Sequence, residues 1–325
     1  MASSLAAVSV PAMLLSLLGT LAGLLLLTVA ADAFVIGAAR LAAYWRVSTV
    51  VVGAVVIGFG TSAPELVVSG LASAQGSLDI AVGNVVGSNI ANLSLVLGAA
   101  ALVSPVAVQS PILRREAPLS LLLVVAFGAL VQGSMGVLEG VLLATLLVVS
   151  LVIIVRSARQ GDPIIAAEVD SYVAGGRAGG RREVVRTVLG LMGTLAGAQL
   201  LVVSVTAAAE QIGLTEGFIG LTVVAVGTSL PELATCLQAA RRSETGLIVG
   251  NLLGSNLFNA GAVGAIAAFA GAGQATDPTI TGVGVLLMIA LSAVATTFMV
   301  TGRRVVRLEG IGLLVAYVVI VLLLF

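Results

Sequence analysis

Histidine and lysine are absent from this chain, cysteine occurs once, and aromatic and charged residues make up only 4% and 9% of its 325 positions. Each shortage excludes something. Without histidine the chain lacks the commonest transition-metal ligand and the usual proton-relay side chain. A lone Cys236 rules out a disulfide framework and a cysteine-built metal cluster. Sparse aromatics, with no basic arm and no zinc-finger spacing, offer nothing for nucleic acid to dock on. What remains is apolar: 59% of the residues are hydrophobic and mean hydropathy is +1.19. No soluble domain of this length reads that way, whereas apolar runs of about 20 residues read as membrane spans. The first residues, MASSLAAVSVP, lack the positive n-region of a secretory signal, so the first apolar segment is expected to be retained.

Apolar runs between charges and turn residues give ten expected spans, at about 12–36, 47–73, 79–103, 114–133, 136–155, 185–209, 214–240, 246–271, 279–300 and 308–325. The polar stretch 157–184, with Gly175-Gly176, Gly179-Gly180 and charges of both signs, reads as a linker. It separates a first five-helix repeat, residues 1–156, from a second, residues 185–325. The expected fold class is an all-α membrane protein of ten transmembrane helices. All 15 basic residues, from Arg40 to Arg307, are arginine, and with ten spans each falls in a connection after span 1, 3, 5, 7 or 9. By the positive-inside rule that side, linker included, is cytoplasmic, and both termini of this multi-pass cell-membrane protein are extracellular. The missing lysine hints at a GC-rich prokaryotic genome.

The halves repeat each other. A constant offset of 167 residues superimposes Thr61 on Thr228, Ser62 on Ser229, Pro64 on Pro231 and Glu65 on Glu232. It also superimposes Asn84 on Asn251, Ser88 on Ser255 and Asn92 on Asn259. Five spans per copy is an odd number, so the copies are expected to lie antiparallel. The turn Ala74-Gln75-Gly76-Ser77 carries no basic residue, while its counterpart Arg241-Arg242-Ser243-Glu244 carries two arginines. Inverted repeats are the architecture of alternating access around a central site.

Each copy places a glutamate, Glu65 or Glu232, inside an apolar stretch. An ionisable residue at membrane depth marks a functional site by default. In GTSAPE, Pro64 lacks an N–H and opposes the carbonyl of Gly60, as Pro231 opposes that of Gly227. Such freed carbonyls are tolerated only within protein or along a watery cavity. Thr61 and Glu65, four apart, are expected on one helix face with Ser62 on its flank. In the following helix Asn84, Ser88 and Asn92 form a stripe at intervals of four, repeated by Asn251, Ser255 and Asn259. Carboxylates, hydroxyls, amides and carbonyls are hard oxygen donors suited to Ca²⁺, Na⁺ or Mg²⁺. A flexible cage of six to eight oxygens suits Ca²⁺ best of these. Two carboxylates balance one divalent or two monovalent cations, so Na⁺ and Ca²⁺ would compete; protonation would also discharge the pair.

The motifs G-T-S-[AL]-P-E and G-N-x-x-G-S-N-x-x-N, each in two copies, closely resemble those of the cation/calcium antiporter superfamily, in particular the prokaryotic sodium/calcium exchangers. The resemblance covers nearly the whole chain outside the first ten residues and the linker. It implies spans 2, 3, 7 and 8 packed as a central diamond, with spans 1 and 6 as long sliding helices. Carried over by motif position, Glu65 and Glu232 are the shared acidic ligands. Thr61, Ser62, Ser88, Thr228, Ser229 and Ser255 supply hydroxyl or backbone oxygens, Gly58 and Ala225 main-chain carbonyls, and Asn92 and Asn259 complete the centre. Some relatives carry aspartate at the position of Asn259; the amide here argues against potassium co-transport.

The expected function is thus an antiporter exchanging Na⁺ for Ca²⁺, not an enzyme, with no cofactor, the lipid bilayer as its surroundings and no indicated protein partner. A H⁺/Ca²⁺ antiporter using the same glutamates and, from another class, a cation channel are the alternatives. Several features have plainer readings. The Gly83–Gly87 and Gly250–Gly254 pairs suit helix packing. Asn84, Asn89, Asn251 and Asn256 suit bonds between helices. Asp32 suits the lipid interface or a pairing with Arg40, and Cys236 suits packing. Tyr44 and Trp45 suit interfacial anchoring.

Overall fold

A computed structural model describes residues 10–45, 58–108, 110–157, 180–241, 243 and 245–325. The chain is helical almost throughout. Helices α1 (Val10–Tyr44) and α2 (Ala63–Ala74), the latter preceded by one helical turn at Gly58–Thr61, lead into α3 (Leu78–Val103). Then come α4 (Ser110–Leu130), α5 (Val137–Ser157) and α6 (Gly180–Ile212). A broken pair, α7 (Glu216–Thr228) and α8 (Leu230–Arg241), bent by 42°, precedes α9 (Thr245–Ala270), α10 (Thr279–Gly302) and α11 (Arg307–Leu324). Seven helices among the described residues are long and apolar enough to cross a membrane, eight if the bent pair counts as one. The part of the expected span at 47–73 that precedes Gly58, and the centre of the linker, lie outside the described residues. Helix extends into both ends of the expected linker: α5 reaches Ser157, and α6 begins at Gly180, where Arg181, Arg182 and Glu183 continue the helix beyond its apolar part.

Local chemistry sets the boundaries. Pro64 lies in the first turn of α2, where no intrahelical N–H is required. Thr215 caps α7 by accepting from the Phe218 N–H at 3.1 Å. Glu309 reaches back to the Val306 N–H at 2.8 Å at the start of α11. Arg303, with φ of 48°, ends α10 in the left-handed region.

The 167-residue offset holds for the helices as well as the sequence. Gly58–Thr61 matches Ala225–Thr228, Ala63–Ala74 matches Leu230–Arg241, and the π-helical turn Asn92–Val96 inside α3 matches Asn259–Val263 inside α9. The core sits on α3 and α9, whose spanning windows are 83% buried against 22% for α1 and α11. These two helices are buried nearly all round, their amide and hydroxyl stripes included. Gly83 and Gly87 bring α3 against α7: a Cβ on Gly87 would lie 2.6 Å from the Ala225 Cβ. Helices α1 and α6 pack along their length, and a Cβ on Gly23 would lie 2.7 Å from the Leu201 nitrogen.

The connections gather at two ends. At one, Arg40 pairs with Glu183 at 3.7 Å, and a two-residue ribbon joins Val106–Ala107 (β1) after α3 to Arg304–Val305 (β2) after α10. At the other, Asp79 accepts from the Thr276 N–H at 2.7 Å, and Ser77 donates to Glu216 at 3.3 Å.

Candidate functional site

Two short breaks build the centre of the molecule. Ser62 (φ −87°, ψ 10°) interrupts the chain between Thr61 and α2, and Ser229 (φ −85°, ψ 6°) interrupts it between α7 and α8. The sequence suggested one continuous helix face for Thr61 and Glu65. Instead the chain breaks between them, because Pro64 and Pro231 cannot donate to the preceding turn. Each break ends one helix and starts another at the same depth, turning Glu65 and Glu232 inward.

Both glutamates are fully buried and close enough for their charges to act on each other. Ser229 Oγ donates to Glu65 Oε1 across the two halves at 3.3 Å, with Thr228 also within reach of that carboxylate. Ser255 Oγ donates to Glu232 Oε1 at 3.3 Å. The other oxygen of each carboxylate, Oε2, is buried with no hydrogen-bond partner, and so are Ser62 Oγ, Asn92 Oδ1 and both side-chain atoms of Asn259. Buried oxygens are rarely left unmatched in native proteins, and each such group is costly unless something binds it. With the two carboxylates they make a set of carboxyl, hydroxyl and amide groups with no basic side chain among them, and such oxygens are the donors of a hard cation.

Eleven of the twelve expected site residues, Thr61, Ser62, Glu65, Ser88, Asn92, Ala225, Thr228, Ser229, Glu232, Ser255 and Asn259, are buried at 4% exposure or less. Gly58 opens the turn before Ser62. The Ala225 carbonyl differs from the rest, since it already accepts from the Ser229 N–H at 3.1 Å and Thr228 Oγ1 at 3.2 Å. Among the described residues no group of three or more His, Cys, Asp or Glu side chains could hold a metal ion. Any cation here would therefore meet two carboxylates and otherwise neutral oxygens.

The plainer readings divide. Asn92 donates to Asn256 Oδ1 at 3.0 Å and Asn256 to the Asn89 carbonyl at 3.3 Å, an amide chain linking the halves. Cys236 is buried and receives the Asn251 amide at 3.8 Å. Tyr44 and Trp45 are exposed, as anchors would be. Of the two readings of Asp32, the lipid interface or a pairing with Arg40, the second is not made: Arg40 takes Glu183, and Arg186 is the opposite charge that acts on Asp32. Asp32 instead lines a cavity of about 340 Å³ with Thr28, Gly60, Thr61, Pro231 and Thr235. That cavity reaches the central Thr61, a connection that sequence spacing did not reveal.

The sodium/calcium exchanger protein family matches residues 15–156 and 183–325. A putative antiporter, CaxA, of Alkalimonas amylolytica is 38% identical over 316 residues, covering 94% of this chain and 97% of that protein. The sodium/calcium exchanger MaX1 of Methanosarcina acetivorans is 30% identical over 355 residues, with 94% and 97% covered. Among solved structures, the sodium-calcium exchanger NCX_Mj superposes with a TM-score of 0.65 at 31% identity, covering 94% of this chain and 97% of its own.

Proposed function

This chain belongs to the sodium/calcium exchanger family, and on that premise we propose that it is a secondary active antiporter exchanging Na⁺ for Ca²⁺. Both ions are substrates; no covalent chemistry is involved. The observation that carries this reading is the buried pair Glu65 and Glu232, each with one carboxylate oxygen free of protein partners and surrounded by neutral oxygen donors.

In this reading Glu65 and Glu232 bind either one Ca²⁺ or Na⁺ ions of equal charge. Ser62, Ser88, Ser229, Ser255, Thr61, Thr228, Asn92 and Asn259 complete the shell, with Gly58 and Ala225 offering main-chain oxygen. Ala225 would contribute once the Thr228 hydroxyl turns away. Unpaired buried charge is penalised by several kcal/mol per ion, so the loaded carriers are favoured over the unloaded one, as coupled exchange requires.

The proposed architecture is ten spans in two inverted five-helix repeats around this centre. Its support is the recurrence of helix boundaries at one offset and the arginine-free connections at one end. Alternating access is supported by an asymmetry between the halves. Along the cavity Leu230 is 38% exposed, whereas its repeat mate Ala63 is 4% exposed; Thr235 is half-buried, and its mate Val68 is fully buried. One approach to the centre is thus open and its counterpart closed. By the arginine distribution the open approach is cytoplasmic.

The test is ⁴⁵Ca²⁺ uptake into proteoliposomes under separately imposed gradients. Uptake driven by an outward Na⁺ gradient is expected. Uptake driven only by a H⁺ gradient would shift the coupling to protons. Uptake with no counter-ion would make the protein a channel.

A further inference from the structure

Asn84 belongs to none of the residues assigned to the ion, yet both atoms of its amide are engaged at the centre. It is fully buried. Its Nδ2 donates to Ser69 Oγ at 2.9 Å and to the Glu65 main-chain carbonyl at 3.4 Å. Its Oδ1 accepts from Ser88 Oγ and, across the two halves, from Thr228 Oγ1, both at 3.3 Å. A main-chain carbonyl cannot donate, so the amide orientation follows: the NH₂ faces Glu65 and the oxygen faces the two hydroxyls.

This arrangement determines what a cation meets. A hydroxyl has one hydrogen and two lone pairs. Once the hydrogen rests on Asn84, the lone pairs of Ser88 are left for the ion. Thr228 is less committed, since its one hydrogen has both Asn84 at 3.3 Å and the Ala225 carbonyl at 3.2 Å as acceptors, besides the Glu65 carboxylate. The repeat mate of Ser88 is placed differently. Ser255 directs its hydrogen to Glu232, as Ser229 directs its own to Glu65. Those hydrogens must turn aside before the carboxylate oxygens can take a cation. The repeat mate of Asn84, Asn251, is also held more weakly, by the Cys236 sulfur at 3.8 Å rather than by a serine hydroxyl.

We infer that Asn84 is a positioning residue for ion binding, holding Ser88 with its lone pairs toward the cation. The centre then has one prearranged side and one that reorganises on loading. Affinity gained by prearrangement is lost when the holding group is removed, even though no ligand atom has changed.

This inference rests on the exchanger reading, and the test separates the two. Full-length wild-type protein in proteoliposomes must first show Na⁺-driven ⁴⁵Ca²⁺ uptake; if it does not, the exchanger reading itself fails. Given that uptake, a double-mutant cycle crosses Asn84→Ala with Ser88→Ala, reading the half-saturating Ca²⁺ concentration separately from maximal rate per folded protein. Asn84→Ala alone is expected to raise half-saturation about tenfold. In the Ser88→Ala background the same change should raise it only about twofold, because its object is gone. Equal effects in both backgrounds would overturn the inference and leave Asn84 as a packing residue. If Asn84→Ala does not fold, Ser69→Ala removes the anchor of the amide and enters the same cycle, with a smaller rise of about threefold expected alone and none beside Ser88→Ala.

Discussion

Replacing Glu65 by glutamine keeps the volume of the side chain and removes one of the two charges at the centre. The Glu65 carboxylate is fully buried, with Ser229 on Oε1 and no partner on Oε2. With the substitution, a bound Ca²⁺ faces one carboxylate and retains a net positive charge in a water-poor site. Removing one partner of a buried ion pair costs about 3–5 kcal/mol. At 1.4 kcal/mol per tenfold, that is about two to three and a half decades in Kd. A single Na⁺ would still be balanced by Glu232, so Na⁺ binding should suffer less than Ca²⁺ binding. Na⁺-driven ⁴⁵Ca²⁺ uptake at sub-saturating Ca²⁺ should fall to background, and calorimetry should show the loss directly. Folding should survive, because glutamine keeps the volume, still accepts from Ser229 and removes one charge from a fully buried position. In ion-free detergent the variant should therefore melt no lower than wild type, while Ca²⁺ should raise the melting temperature of wild type only. Wild-type half-saturation by Ca²⁺ in Glu65→Gln, or equally in Glu232→Gln, would refute the assignment of the pair.

Cysteine placed at Thr235 in the cavity should react with a polar thiol reagent from the arginine-bearing side, while cysteine at the buried Val68 should stay protected; equal labelling would remove the open-and-closed asymmetry. Arg40→Ala leaves Glu183, 2% exposed, without its cation. It should lower stability by roughly 2–3 kcal/mol in thermal unfolding, less than for a fully enclosed pair because the guanidinium retains 17% exposure. Gly87→Val drives a branched side chain into the α7 backbone, where a Cβ alone would meet the Leu221 carbonyl carbon at 2.7 Å. A loss of about 2 kcal/mol or more is expected in the same measurement.

Much of this molecule was legible in its sequence because membrane proteins satisfy backbone polarity within helices, so apolar runs map directly onto elements. The duplicated glutamates stood out because charge at that depth needs a reason. Helix ends were harder to read. Helix α1 continues to Tyr44 and α6 starts at Gly180, since a helix can leave the apolar layer without ceasing to be a helix. Proline marked a disturbance but not its form: the break falls at Ser62 and Ser229, two residues before each proline, where ψ is near zero. Partners distant in sequence were not legible. Asp32 was matched to Arg40 by proximity along the chain, while the fold gives Arg40 to Glu183. The bond from Thr228 to Asn84 joins residues 144 positions apart, which no spacing rule anticipates.

The small ribbon at the arginine-bearing end bears on how such a protein can move. Val106 pairs with Val305 and Ala107 with Arg304, Val108 donates to the Arg303 carbonyl at 2.8 Å, and Arg307 reaches the Val103 carbonyl at 3.4 Å. These bonds rivet the exits of α3 and α10 and the entry of α11 into one chassis. Were access to alternate as proposed, these bonds would hold α3, α10 and α11 together, while α1 and α6, packed along their length and joined by Arg40 and Glu183, lie outside them.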